Sequence, residues 1–477
     1  MTFVSFFDII KVKEMNNLNI FASVFAAMLL LAFLLSGFFM GKNVKNSSEF
    51  DKGGKNTGTL LVAGSIIGTL VGGSSTVGTA QLAFTSGFSA LWFTLGSAMG
   101  CVLLAVFLAV PLRKSGCSTV VGIVTREYGQ TTGIVAGILS SFGLMINLIA
   151  QILAANAILS ALFPLDFFWS SLISAAMMFL YVFGGVKGTG YLGVAKTVLL
   201  YITVAVSAIT CLVLNKGVAS FGEILPARQY FNLISRGAGI DLGAGLSVAL
   251  GVICTQTYAA SILSAKDDKS ARGGALLSAL IIPFIGIGSL LIGYFMRINF
   301  PEISPSQAFG QFIMTYMPPF VGELMLVALL ITVIGTGAGI SLGLSATLSK
   351  DLIKRFLPED TSDKKMLFIS RAIIMLALSL ALFVTQTSLK STILTWGFMS
   401  MGLRAVVLML PMLFGLFLPK RTSAFSAILS ACLGLIAMML VFLSPLAEKI
   451  DPLIIGMGIS SIIYLFAIIS KKFLKGE

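Results

Sequence analysis

Apolar residues in this chain come in long, nearly unbroken runs, and a run of about 17–25 of them is what a helix needs to cross a bilayer. Thirteen such runs follow one another, at roughly 18–41, 57–84, 87–111, 131–163, 166–186, 190–215, 239–264, 273–297, 318–349, 366–387, 389–418, 422–444 and 450–470. We number them spans 0 to 12. In lipid each backbone N–H and C=O must be satisfied inside the protein, so continuous runs of this length are helices. Hydrophobic residues make up 57% of the chain and charged residues 11%, whereas a soluble domain carries about 25% charge on its surface. The expected fold class is an all-α polytopic membrane protein with about 13 transmembrane helices.

Basic residues set the orientation. With the N-terminus outside, 22 Lys and Arg fall in loops and span ends on the inner side and 8 on the outer side. Lys and Arg favour the cytoplasmic side. The expectation is a multi-pass protein of the cell (inner) membrane, N-terminus outside and C-terminus cytoplasmic. The net charge of +13 is therefore a topology signal and points to no nucleic-acid partner. All 19 Asp and Glu lie in loops or near span ends, the most inward being Glu323, about one turn into span 8. Span interiors hold two charged residues, Lys196 and Arg404. The chain has no histidine, which argues against a zinc or iron site and a histidine proton relay. Four of the five cysteines sit in apolar runs and Cys117 in a loop, so no disulfide framework is suggested. The run after Lys11 and Lys13 is long enough to span and lacks a small-residue cleavage pattern, so no cleavable signal is expected.

Two spans carry residues that break helices. Span 1 reads Gly64-Ser-Ile-Ile-Gly68-Thr-Leu-Val-Gly72-Gly73-Ser74-Ser75-Thr76. Adjacent glycines and three hydroxyls cost helix propensity and free backbone groups that lipid cannot satisfy. One explanation is a broken, ligand-binding helix. The other is close packing, because Gly64, Gly68 and Gly72 have small-residue spacing. Span 6 repeats the character with Gly251 and Thr255-Gln256-Thr257-Tyr258. Two interrupted spans at matching places in two halves point to a transporter built from inverted repeats, with its site near the midplane. In span 3, Asn147 and Gln151 share a face, for interhelical hydrogen bonding or for solute contact.

Five stretches in order carry a family resemblance. Glu49-Phe-Asp-Lys-Gly-Gly-Lys-Asn-Thr-Gly58 precedes span 1, and Phe183-Gly184-Gly185-Val-Lys187 separates spans 4 and 5. Ser264-Ala-Lys266 with Ser270-Ala271-Arg272 follows span 6, and Ser345-Ala-Thr-Leu-Ser-Lys-Asp351 ends span 8. Gly415-Leu-Phe417 with Lys420-Arg421-Thr422 joins spans 10 and 11. Over about residues 45–430 the chain resembles the sodium:solute symporter family, which couples uptake of small organic solutes to an ion gradient. The resemblance implies a LeuT-type five-plus-five inverted repeat, with one helix before it and two after. That divides the chain into residues 1–44 (an extracellular segment and first helix), 45–418 (the ten-helix core) and 419–477 (two helices and a cytoplasmic tail).

The resemblance also implies a sodium site between spans 1 and 8. Its oxygens would be the carbonyls of Gly68, Val71 and Thr332 and the hydroxyl of Thr336. A second hydroxyl position falls on Gly335, so one hydroxyl is missing. A span 5 aspartate of many members reads Gly193 here, and Lys196 stands one helical turn on. Some sodium-independent amino-acid transporters of this fold put a span 5 lysine amine in the sodium site. An ammonium and a sodium ion compete for the same oxygens. Coupling through Na+ is thus the family expectation, and coupling through H+, or sodium-independent transport, follows from Lys196 and Gly335. The plain alternative is that Lys196 reaches back to the inner interface.

Arg404, near the middle of span 10, must face the bundle interior or water. It is satisfied either by backbone and water or by an anionic solute. Solute contacts are expected from Gly73, Ser74, Ser75, Thr76, Thr94, Gln151, Thr255, Gln256, Tyr258 and Arg404. The expected function is cation-coupled symport of a small polar or anionic solute by alternating access, with a facilitator or channel on the same scaffold as the alternative. An enzyme is not expected: the span interiors lack His, Asp and Glu, and no loop carries a phosphate-binding glycine-lysine pattern. No cofactor is expected beyond the coupling ion and no metal beyond Na+. Partners are the lipid bilayer and a small-molecule solute, and the oligomeric state stays open.

Overall fold

In the computed structural model, residues 24, 25, 27–32, 57–163, 165–182, 185–358, 361–387 and 392–475 are described. Span 0 appears only as helical residues 24, 25 and 27–32. The rest of it, most of the stretch before span 1, Phe183 and Gly184 lie outside the described residues.

Each later span has its helix or helices. Span 1 is two pieces, Thr59–Leu70 and Thr79–Ser86, separated by an extended Val71 and a wide turn at Ser74–Gly78. Span 2 starts at Trp92–Leu103 and runs on to Lys114. Spans 3, 4 and 5 are Gln130–Leu162, Phe167–Val182 and Gly185–Leu214. Span 6 is Ala238–Ile253 followed by Gln256–Leu263, bent by 44°. Spans 7 to 10 are Asp268–Asn299, Pro319–Ala346, Asp363–Thr387 and Ile393–Phe417. Spans 11 and 12 are Ala424–Phe442 and Pro452–Lys475. A short helix, Val120–Tyr128, lies between spans 2 and 3, capped by the Thr119 hydroxyl, which accepts from the Gly122 N–H at 2.8 Å.

By length and apolarity, nine helices among the described residues can cross a membrane, or ten with the bent pair. That measure does not reach thirteen, and span 0 is described only in part. The inner piece of span 1 and span 4 are shorter apolar helices, and Ser74–Lys114 runs on as one helical stretch through the hairpin between spans 1 and 2. Gly87 turns that hairpin with φ +65°, and a Cβ there would lie 2.2 Å from the Tyr230 carbonyl oxygen. Only glycine fits both conditions.

Small residues bring the spans together, as packing without a hydrophobic driving force between helices requires. A Cβ on Gly96 of span 2 would sit 2.6 Å from the Gly245 carbonyl of span 6, and one on Gly100 would sit 2.7 Å from that of Ala249. Span 3 packs on spans 8 and 10, and the inner piece of span 1 packs on spans 5 and 7. The N-terminal end of span 1 and the C-terminal end of span 6 are tied directly. Thr57 pairs with Ala265, and the Ser65 and Ser261 hydroxyls lie 2.8 Å apart. Basic residues of the inner loops also build structure: Arg113 pairs with Asp268 at 2.7 Å and donates to the Ala265 carbonyl.

Gly251, just before the break of span 6, is held against span 10, where a Cβ would meet the Met401 Cα and carbonyl oxygen at 2.7 Å. Backbone cannot give way as a side chain can. Gly251→Ala is expected to lower stability by about 1–3 kcal/mol, read as a drop in the unfolding temperature of the purified protein.

Candidate functional site

The break in span 1 leaves the Gly72 and Gly73 N–H groups to be met by side chains. The Gly72 N–H donates to Ser75 Oγ at 2.9 Å, and the Thr76 hydroxyl donates to the Gly72 carbonyl at 2.8 Å. The Gly73 N–H donates to Gln151 Oε1 at 2.9 Å, and Gln151 Nε2 donates to Asn147 Oδ1 at 3.1 Å. The span 3 amides therefore hold the break rather than merely face it. Glycine is required for this approach: a Cβ on Gly73 would lie 2.2 Å from that of Ala154. The span 1 glycines divide between close packing and the break. Gly64 and Gly68 pack against Val194 and Gly193 of span 5, while Gly72 and Gly73 form the break.

The carbonyls of Gly68 and Val71, released by the break, converge on span 8. The Thr336 hydroxyl donates to both, at 3.3 Å and 3.1 Å. The Lys196 amine of span 5 donates to Thr336 Oγ1 at 3.3 Å and to the Thr332 carbonyl at 3.4 Å. Lys196 is buried, with its amine turned to span 8. Gly335 makes the room: a Cβ there would stand 2.9 Å from the Lys196 Nζ. Gly68, Val71, Thr332, Gly335, Thr336 and Lys196 thus form one cluster.

Arg404 lies against the second break. Its Nη1 donates to Thr255 Oγ1 at 2.5 Å, its Nε to the Ser400 carbonyl at 3.0 Å and its Nη2 to Ser400 Oγ at 3.0 Å. Met401 Sδ accepts from Nη2 at 3.1 Å. The guanidinium is buried among neutral groups and also lines a narrow cavity with Ser140, Gln256 and Thr347. At its N-terminal end span 10 meets the second piece of span 1, where the Ile393 N–H donates to Gln81 Oε1 at 2.9 Å.

Several expected solute contacts are engaged by the protein itself. Thr94 turns to span 7, its hydroxyl bonded to the Leu91 carbonyl and pressed against Gly286. Gln256 accepts from the Val120 N–H at 2.9 Å, so it caps the short inner helix. Ser75 and Thr76 are spent on Gly72, as described. Ser74 is the exception: its hydroxyl is buried without a hydrogen-bond partner among the described residues. Around it stand Phe93 of span 2 and Gly397 of span 10, where a Cβ would meet Phe93 at 3.0 Å and Ser74 Oγ at 3.1 Å. Neither residue is distinctive in sequence, since a phenylalanine and a glycine on apolar helices look like ordinary packing.

A helical bundle in which two spans break at matching places, each break lined by neutral oxygens and one buried cation, is a secondary transporter in class. A sequence model of the sodium:solute symporter family matches residues 50–434, and the chain belongs to that family. It is a transporter and not an enzyme. It is 23% identical to the high-affinity proline transporter of Bacillus subtilis over 385 residues, covering 76% of this chain and 80% of that protein. It is 21% identical to a sodium/proline symporter of Staphylococcus saprophyticus, over 71% of this chain and 70% of that one. Its fold matches a Na+-coupled sialic acid symporter with TM-score 0.77 and 16% identity, over 96% of this chain and 98% of that one. A nucleobase-cation-symport-1 family transporter matches with TM-score 0.57 and 13% identity, over 87% and 95%.

Thr336 is the one hydroxyl that answers both freed carbonyls. Thr336→Val leaves them unpaired in a buried place and is expected to cost about 1–3 kcal/mol. Thr336→Ser keeps the hydroxyl and is expected to recover most of that stability in the same thermal unfolding measurement.

Proposed function

We propose that this protein is a secondary active symporter of the cell membrane in which the Lys196 amine takes the place of a sodium ion, so that transport is coupled to protons. The observation that carries this is the seat of the amine. It lies 3.3 Å and 3.4 Å from two oxygens of span 8, beside a glycine whose side chain would collide with it. Those oxygens and the Gly68 and Val71 carbonyls are neutral, and neutral oxygens serve sodium and ammonium alike. An amine differs from sodium in that it can bind and release a proton while staying attached to the protein. The family's own ion, sodium, supports the second reading, in which Na+ binds the same oxygens after the amine moves aside.

The transport core is residues 45–418, with residues 1–44 before it and two further helices and a cytoplasmic tail, 419–477, after it. The N-terminus lies outside and the C-terminus inside, supported by the basic inner loops. The solute is small and polar or anionic. Two features support that class: the unpartnered Ser74 hydroxyl at the first break, and the Arg404 charge, which lines a cavity and has only neutral partners. Alternating access would open and close the path along span 10. A channel on this scaffold gains no observation in its favour.

The experiment begins with a thermal-shift screen of the purified protein against amino acids, organic acids, sugars and vitamins. It is run with and without sodium at two pH values, with proline among the first solutes because relatives are named for it. In proteoliposomes the stabilising solute is then expected to accumulate under an inward proton gradient with sodium absent. Lys196→Ala is expected to abolish the proton flux that accompanies solute; survival of that flux overturns the proton role. Gly335→Ser combined with Lys196→Ala is expected to make thermal stability sodium-dependent, by about 2.7 kcal/mol at a hundredfold excess over Kd.

Arg404→Gln tests the anionic class separately. For a carboxylate-bearing solute the KM is expected to rise at least tenfold, the loss of one charge-assisted hydrogen bond of about 1.5–3 kcal/mol. An unchanged KM removes the binding role.

A further inference from the structure

Arg236, just ahead of span 6, is held at both ends by one carboxylate. Its backbone N–H donates to Asp241 Oδ2 at 2.9 Å and its Nε to Asp241 Oδ1 at 2.7 Å. Its Nη2 lies 2.6 Å from the same Oδ1. Asp241 stands in the first turn of span 6 and is buried. A rotamer-rich side chain is thereby fixed in one direction, at a cost in entropy. That direction is the face of the Phe398 ring, whose centroid is 5.8 Å from the guanidinium carbon. Nη2 is buried and makes no hydrogen bond among the described residues. Apart from the Asp241 charge, the face of the ring is what its N–H groups meet. Phe398 leads on to the first break. Its ring packs 5.8 Å from that of Phe93, and Phe93 with Gly397 surrounds the Ser74 hydroxyl. On its other side Phe398 shares a pocket with Arg236, Thr395, Met399 and Phe442. Phe398 and Phe93 are 6% and 2% exposed, so two buried rings stand between that pocket and Ser74. Apolar contact between rings is largely non-directional, whereas a desolvated cation over a ring face fixes where the ring sits.

We propose that Arg236 is a positioning residue for the solute site: its guanidinium, aimed by Asp241, holds the Phe398 ring, and through it Phe93, across the way from the pocket to Ser74. Arg236 does not touch the solute and acts through the ring. Ser74 becomes reachable when Phe398 leaves the guanidinium and turns into the pocket. The proposal rests on the reading of Ser74 as a solute contact and adds what keeps that contact shut. It also ties the state of the site to span 6, because the carboxylate that aims Arg236 belongs to the first turn of that span.

The test needs no solute. Ser74→Cys gives the break a thiol, and its modification by methyl methanethiosulfonate is timed in the purified full-length protein. Peptide mass spectrometry separates that thiol from the five native cysteines. Phe398 is then replaced by 3,4,5-trifluorophenylalanine, which keeps a ring of nearly the same shape but withdraws the negative charge from the face that attracts a cation. Labelling is expected to become about tenfold faster, the change that losing a desolvated cation–ring contact gives. Arg236→Gln is expected to accelerate labelling to a similar degree, and fluorination is expected to add nothing in that background, as for two partners of one interaction. An unchanged rate on fluorination overturns the proposal, and so does a fluorination effect that persists in full with Arg236→Gln. A purely structural role of Arg236 leaves the fluorinated protein labelling at the original rate. Failure of the solute reading shows separately, as a KM for the transported solute that Ser74→Ala leaves unchanged.

Discussion

A carbonyl released from a helix inside a membrane protein has no water to fall back on, and the arrangement of spans 1, 5 and 8 follows from that fact. The break of span 1 releases Gly68 and Val71, and the Thr336 hydroxyl donates to both. Having given its hydrogen to these carbonyls, the hydroxyl oxygen can accept from the Lys196 amine. The amine fits because Gly335 has no side chain, and span 5 comes near enough because Gly68 faces Gly193. Remove one of these small residues and the polar chain from amine to hydroxyl to carbonyl loses its geometry.

The second break is built on the same physics with different parts. The outer piece of span 6 ends at Ile253, and Thr255 continues in an extended conformation. Arg404 reaches this end and binds the Thr255 hydroxyl. In both spans the first helical piece ends near the middle of the bundle, and the C-terminal end of a helix carries partial negative charge. A lone cation stands near each of these ends, Lys196 at one and Arg404 at the other. Nothing acidic is required, which explains how a core can hold two basic side chains where sequence places no carboxylate.

Much of this was legible in the sequence, and what was not has a common cause. The Gly72-Gly73 pair announced the break, because two glycines and three hydroxyls in an apolar run have no other local explanation than close packing. The cluster of Gly68, Val71, Thr332, Thr336 and Lys196 could be named from the family resemblance, and the geometry does bring those residues together. Thr94 and Gln256 were expected to contact solute; Thr94 faces span 7, and Gln256 caps the Val120–Tyr128 helix while also lining the cavity beside Arg404. Phe93 and Gly397, which surround the free Ser74 hydroxyl, were not expected. Each of these is a question of rotation about a helix axis. A soluble helix shows its buried face as an apolar stripe, but a span that is apolar all round offers no such mark, and successive residues point about 100° apart.

By itself the sequence determined that the chain lives in lipid, where its long apolar runs lie, that basic residues gather between them, and that only Lys196 and Arg404 are charged within the interiors of those runs. These follow from composition along one dimension, where the cost of burying charge and backbone polarity is local. Tertiary structure alone decided which cation meets which break, and which glycines pack and which unwind. Those outcomes depend on how closely the small residues let the helices approach and in which rotation they meet. That is a property of pairs of surfaces, and no single apolar run contains it.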